Sequence, residues 1–287
     1  MNDRPATTSR IDRISGGATP GHNEDHVAVF DSATATDLVV LDGATPVAER
    51  NYIDGGGDVV WFVHRFAAAL APAIQAGLGQ HAAVHAAIDS VRTEFFARVN
   101  GATIPAHALP IAALTWIRAT RDGLLHLYCL GDCITLMRLP DGNVVDLDPW
   151  VNPQEAVLRA EIATLRAAGI DDPAARHARL LPMLRARRAD QNGSAQPSIL
   201  CLQPQGPFAA RQHVVPAPAG AVLLGMTDGF YRLVDPYALH TPASLVRACE
   251  ERGLEAALLA LRAHEAAMAA GLSVKRADDA SAVMWRA

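Results

Sequence analysis

Apolar residues along the chain recur with two periods, and the changes between them mark the elements. Residues 26 to 31 and 37 to 41 carry short apolar runs that read as two strands, with Ser32 to Thr36 as the turn. Val59, Val63, Phe66 and Leu70 then recur at spacings of four, three and four, the stripe of a helix buried on one side. A second stripe, Val84, Ile88, Val91, Phe95 and Val99, is stopped by Asn100-Gly101. From residue 112 the period shortens: "AALTWIRA", "LLHLYCL", "CITLMRL" and "VVDLD", separated by "TRDG", "GD" and "PDGN", read as a meander of short antiparallel strands.

Asn152-Pro153-Gln154-Glu155 carries an N-cap, a first-turn proline and a third-position glutamate, and opens a helix that ends near Gly169. An arginine-rich helix follows Asp172-Pro173, and "RARRADQNGSAQP", residues 185 to 197, reads as an exposed irregular loop. Strands resume at "SILCLQ" and "AVLLGMT", followed by helices at about 243 to 252 and 254 to 270 and a last strand, "SAVMWR". Strand and helix blocks in this order predict an α+β fold of one domain, residues 1–287, whose C-terminal strand returns to a sheet begun at the N-terminus.

Composition narrows the function. Half of the 287 residues are apolar, enough for a sizeable core, and the net charge of -5 leaves no electrostatic footprint for nucleic acid or an anionic membrane. The start, "MNDRPATTSR", has no apolar core of a secretory signal, and the longest apolar runs are broken by charges, so a cytoplasmic protein is expected. Cys129, Cys133, Cys201 and Cys249 lie in apolar runs without metal-binding spacing and read as buried reduced thiols. Asn192-Gly-Ser matches a glycosylation sequon by chance.

Four acidic clusters touch strand ends: Asn23-Glu24-Asp25 before "HVAVF", Asp42-Gly43 after "LVVL", Asp228-Gly229 after "VLLGMT", and Asp278-Asp279 before "SAVMW". Any one of them alone reads as a turn or a helix cap. Together, if their strands are neighbours, they place mutually repelling carboxylates in one spot, which calls for cations, and an oxygen-rich site suits magnesium or manganese. A glycine after the acid lets a backbone carbonyl or a substrate approach closely.

The ordered set "NED … LDG … LGDC … TDG … DDAS", spanning residues 23 to 281, resembles the metal-dependent protein phosphatases, the type 2C or PPM family. Each motif is short; five in order are specific. "PGHNEDHVAV", "LDGATP" and "GGGDVVWFV" look like a bacterial subgroup that contains a type 2C phosphatase domain. The resemblance implies a four-layer α-β-β-α sandwich of two antiparallel sheets with helices outside. It also implies hydrolysis of phosphoserine or phosphothreonine by water activated between two manganese or magnesium ions about 4 Å apart. Carried over residue by residue, Asp42 bridges the ions and Gly43 gives one of them its carbonyl. Asp228 and Asp278 complete the other, Glu24 and Asp25 hold metal-bound waters, and Asp132 with Asp228 matches a weaker third metal position.

Two departures qualify the match. Many family members have a phosphate-holding arginine three residues before the Asn-Glu-Asp motif, where this chain has Pro20; Arg13 and Arg50 are the nearby substitutes, each also readable as a surface arginine. Eukaryotic members follow Asp-Gly with a histidine, where this chain has Ala44; His22 and His26 flank the first motif instead. Gly55 to Gly57 reads as a tight turn into the first helix. Three functions follow: an active protein phosphatase, a phosphatase-like regulator with little or no turnover, and a phosphatase of a small phosphoester. The oligomeric state is open.

Overall fold

Strand β3 (Ala35–Gly43) explains why its apolar run does not alternate with polar residues. Leu38 and Val40 point to a layer shared with a second sheet, while Val39 and Leu41 point to packed helices, so both faces are dry. The computed structural model describes residues 11–53, 55–267 and 277–287. One sheet runs β2 (Asp25–Asp31), β3, β4 (Ile111–Thr120), β5 (Leu124–Leu130) and β9 (Arg211–Pro216), with a short β8 (Leu200–Cys201) on the start of β4. The other runs β1 (Ile11–Gly16), β11 (Ala280–Arg286), β10 (Val222–Met226), β6 (Ile134–Arg138) and β7 (Val144–Asp146). All pairings are antiparallel.

Three apolar layers separate four structural ones. Helices α1 (Asp58–Gln75) and α2 (Gln80–Val99) cover the β2–β3–β4 face through Phe62, Phe66, Leu70, Ile88 and Phe95. Ile117, Leu125, Leu127, Leu223, Val283 and Trp285 fill the space between the sheets. Helices α6 (Pro242–Arg252) and α7 (Leu254–Ala267) cover the other face through Leu245, Val246, Cys249 and Leu261. The fold is α+β, two antiparallel sheets flanked by helices, as the sequence predicts. β11 returns between β1 and β10, joining the C-terminus to the first described strand. Among the described residues no helix is long and apolar enough to cross a membrane. All four cysteines are buried and free.

Three expectations change. The meander is two hairpins in different sheets: β4 pairs β5 and β6 pairs β7, but between β5 and β6 the chain crosses the sandwich at Gly131, whose φ of +80° suits glycine. A Cβ at Gly131 would also crowd Ala113 and Ile199. Residues 185 to 193 are helical, because α4 (Pro173–Gly193) continues where a loop is expected. Its polar residues are absorbed by neighbouring backbone: Arg185 Nε donates to Val47 O at 2.8 Å, and Asn192 Nδ2 donates to the carbonyls of Ala106 and Leu109 at 3.1 and 3.2 Å. Strands β1 and β9 are unanticipated, since each is an outer strand whose charged residues outnumber or match its inward apolar ones. The predicted end of the last helix, residues 268 to 270, lies outside the described residues.

Helix α3 (Pro153–Ala167) opens on Asn152, whose side chain accepts from Gln154 N, and α4 opens on Asp172, which accepts from Ala175 N. No residue of α3 is fully buried. Its apolar side, with Leu158 and Ile162, meets Leu180 and Leu184 of α4 around a cavity at one end of the sandwich.

Candidate metal centre

The acids reach that end of the sandwich from both sheets. Alternation along β3 puts Asp42 on the same face as Leu38 and Val40, toward the opposite sheet, and antiparallel register sets Asp25 directly across from it. In the other sheet, β10 ends at Met226 and the short helix α5 (Asp228–Tyr231) begins at Asp228, while β11 begins just after Asp278 and Asp279. Thr227 locks these ends together: its N–H donates to Ser281 O at 3.0 Å and its hydroxyl to Asp25 Oδ2 at 2.8 Å, across the two sheets. Asp279 accepts from Ala18 N at 2.7 Å and Glu24 N at 2.6 Å, holding the loop that carries Glu24. Gly43 admits no larger residue, because a Cβ would overlap the Glu24 carbonyl and a Val59 methyl.

Asp132 enters from the crossover after Gly131 and accepts from Asn152 Nδ2 at 3.0 Å. A bracket behind the crossover fixes it. Arg211 Nη2 donates to Gly131 O at 2.6 Å while Nε and Nη2 clasp Asp148, which also meets His213 Nε2 at 3.0 Å. Burial alone would raise the Asp148 carboxyl, but hydrogen bonds from Arg211 and His213 outweigh it and hold the group below its ordinary value of 3.8. A carboxyl depressed on folding contributes stability that is present above the unfolded value, near pH 4, and lost as pH falls through the folded one. Asp148→Asn should therefore be less stable than the parent at pH 7, and the difference should shrink as acid unfolding is followed below pH 4. A constant difference from pH 7 to pH 2 would refute this.

Crowding marks the centre. Burial pushes the Asp42 carboxyl well above its ordinary value, and Asp228, Asp25, Asp132 and Asp278 push it further. Asp25, 3% exposed, is raised to about 8 by burial, which hydrogen bonds from Thr227 and Ser281 only partly offset, with Asp279 and Asp228 adding to the rise. The sequence candidates Asp25, Asp42, Asp132, Asp228 and Asp278 are thus brought within mutual electrostatic reach, and with Glu24 and Gly43 they line one cavity of about 450 Å³. Among the described residues no group of three His, Cys, Asp or Glu side chains is placed, as it stands, to hold a metal ion. The donors gathered at the cavity are carboxylate and carbonyl oxygens, which suit magnesium or manganese better than softer ions. The donor set therefore fits the ions the motifs imply.

The substitutes for the missing arginine and histidine fall elsewhere. Arg13 sits on β1 and Arg50 lies over the Tyr52 ring at 5.0 Å, and neither lines the cavity. His26 stacks against His64 of α1 at 4.3 Å and is lowered to about 4 by burial, His64 and Arg13, so it is neutral at pH 7. His22 meets Glu24 at 3.4 Å. Gly55 to Gly57 turns the chain into α1, where Asp58 accepts from Tyr52 N and Ile53 N; these glycines do not line the cavity. The cationic wall is instead α4, with Arg176, Arg187 and Arg188. Sequence reading missed Arg187 and Arg188 because it ended the helix early; the i, i+4 spacing of Leu180, Leu184 and Arg188 was the available signal.

No protein-family model matches the chain, and no curated protein matches it in sequence. Solved structures match along almost its whole length, and they share one fold, that of the PPM or type 2C serine/threonine phosphatases. The Mycobacterium tuberculosis serine/threonine phosphatase PstP/Ppp is 16% identical at a TM-score of 0.53, covering 97% of this chain and 98% of that one. The catalytic domain of PstP in complex with two manganese ions is 18% identical at 0.55, covering 97% of each chain. Serine-threonine phosphatase 2C from Toxoplasma gondii is 14% identical at 0.55, covering 96% and 93%.

Proposed function

We propose that the chain is one phosphatase domain that hydrolyses phosphate monoesters, phosphoserine or phosphothreonine in proteins, with two manganese or magnesium ions. The observation that carries this reading is the meeting of Asp42 from one sheet with Asp228 and Asp278 from the other. In this reading Asp42 would be shared by the two ions, the Gly43 carbonyl would serve one, and Asp228 and Asp278 would serve the other. Glu24 and Asp25 orient waters, and Asp132 with Asp228 offers a weaker third position. Bound ions supply Lewis acidity and a water acidic enough to be a nucleophile near neutral pH. The chain's part is to hold position and exclude bulk water. Thr227 fixes Asp25, Asp279 fixes the Glu24 loop, and Arg211 fixes the crossover that delivers Asp132.

Cys133, the cysteine next to Asp132, is not suited to attack phosphorus itself. Cys133 is 3% exposed, and burial together with Asp42, Asp132, Asp25 and Asp228 keeps its thiol far above the ordinary value of 9.0, so no thiolate forms. Buried free thiols also accord with action in the cytoplasm.

The test is turnover of an aryl phosphate and a phosphothreonine peptide with excess manganese, with and without chelator, alongside Cys133→Ser. Hydrolysis of both that chelation abolishes and Cys133→Ser retains is expected. Turnover of the aryl phosphate alone would move the substrate to small phosphoesters. Absence of turnover would favour a regulator, the reading that Pro20 and Ala44 support.

A further inference from the structure

A phosphate dianion entering this cavity meets a floor of carboxylates, so its charge needs side-chain cations as well as metal ions. With Pro20 in the usual arginine position and Arg13 and Arg50 outside, the cavity offers the guanidiniums of Arg176, Arg187 and Arg188. They are not equivalent. Arg176 donates to the carbonyls of Ile170 and Asp171 in the connection between α3 and α4, which occupies it in joining the two helices. Arg188 is 8% exposed and donates to Thr45 O at 3.2 Å, pinning the loop after β3 beneath α4.

Arg187 differs from both. It is only half-buried, and its Nη2 donates to Asn152 Oδ1 at 3.2 Å, while Nε is shut away from solvent with no partner among the described residues. A donor closed to solvent is closed to a ligand as well, so what Arg187 offers the cavity is its Nη groups. The same Asn152 donates to Asp132, so the guanidinium is held at the edge of the acid cluster by a side-chain chain, Arg187 to Asn152 to Asp132. A guanidinium presents its N–H groups in a planar fork that matches two phosphoryl oxygens at once.

We propose that Arg187 of α4 is the residue that receives the phosphoryl oxygens of a phosphate monoester dianion, its Nη groups donating to them. The site's phosphate clamp thus comes from the helix wall of the cavity and not from the loop before Glu24. This deepens the proposed function and rests on it for the substrate class, but it is tested by binding alone.

The probe is inorganic phosphate, titrated calorimetrically into the manganese-loaded full chain, with manganese affinity measured separately for each variant. Arg187→Ala should weaken phosphate at least tenfold and Arg187→Lys less, with manganese affinity and thermal unfolding as in the parent. Because Arg187→Ala also frees Asn152, Arg187→Lys serves as the folded reference if the alanine variant unfolds. Phosphate affinity equal to the parent in both variants would overturn the proposal. Loss of manganese and phosphate together would overturn it too, because Arg187 would then act through Asn152 and Asp132 as a positioning residue. A parent protein that binds no phosphate would likewise overturn it. A parent that binds phosphate through Arg187 yet turns over neither substrate would sink the phosphatase reading and leave this one standing.

Discussion

Asp42→Asn should lower turnover by roughly a thousandfold or more, about 4 kcal/mol of barrier, because one substitution removes the anion placed between the two proposed ion positions. The same variant should be no less stable than the parent without metal. Asp42 carries a burden that the metal-free fold has to bear: burial and four neighbouring carboxylates all oppose its charge, and an isosteric amide escapes them. Two melting curves per protein separate the ideas. Excess manganese should raise the melting temperature of the parent and leave that of Asp42→Asn nearly where it was. Wild-type turnover in Asp42→Asn, or an equal manganese shift in both proteins, would remove Asp42 from the centre.

Gly229→Ala is expected to cost about 3 kcal/mol of stability and to abolish manganese binding. A Cβ at this position would overlap the carbonyl oxygen of Asp279, and the Asp278 Cβ lies 3.3 Å away. Because the obstacle is backbone, no rotamer relieves it; α5 must lift off the segment that leads into β11. That movement separates Asp228 from Asp278. Gly193→Ala at the end of α4 is the control, having nothing within 4 Å of an added Cβ, and should stay within about 0.5 kcal/mol of the parent. Chemical denaturation of the three proteins measures the difference, and coincident transitions for Gly229→Ala and the parent would contradict the packing argument.

The sheet-forming runs were legible in the sequence because β3, β4, β10 and β11 are dry on both faces along most of their length and therefore mostly apolar. The acid clusters were legible for the complementary reason, since aspartates at the ends of such runs have no packing role. Legibility failed where long-range contacts settle the structure. Nothing local distinguishes a hairpin at Gly131-Asp132 from a crossing between sheets, because the turn chemistry is the same and only the partner strand differs. The polar stretch after Leu184 continues as helix because Arg185, Arg188 and Asn192 find carbonyls of residues 45, 47, 106 and 109, far away in sequence. Losing that helix meant losing Arg187 and Arg188 as part of the site.

The hydroxyl of Thr227 reaching Asp25 is one point where the two sheets touch through polar atoms beside the acids. An ion shared by Asp42 and Asp228 would span the same gap and act as a rivet between the two halves of the sandwich. Unfolding would then have to expel it, so thermal stability becomes a gauge of occupancy, rising with the logarithm of free ion concentration above the dissociation constant. In a cell whose manganese supply varies, the lifetime of the protein would follow that supply through the same two aspartates that the proposed chemistry would use.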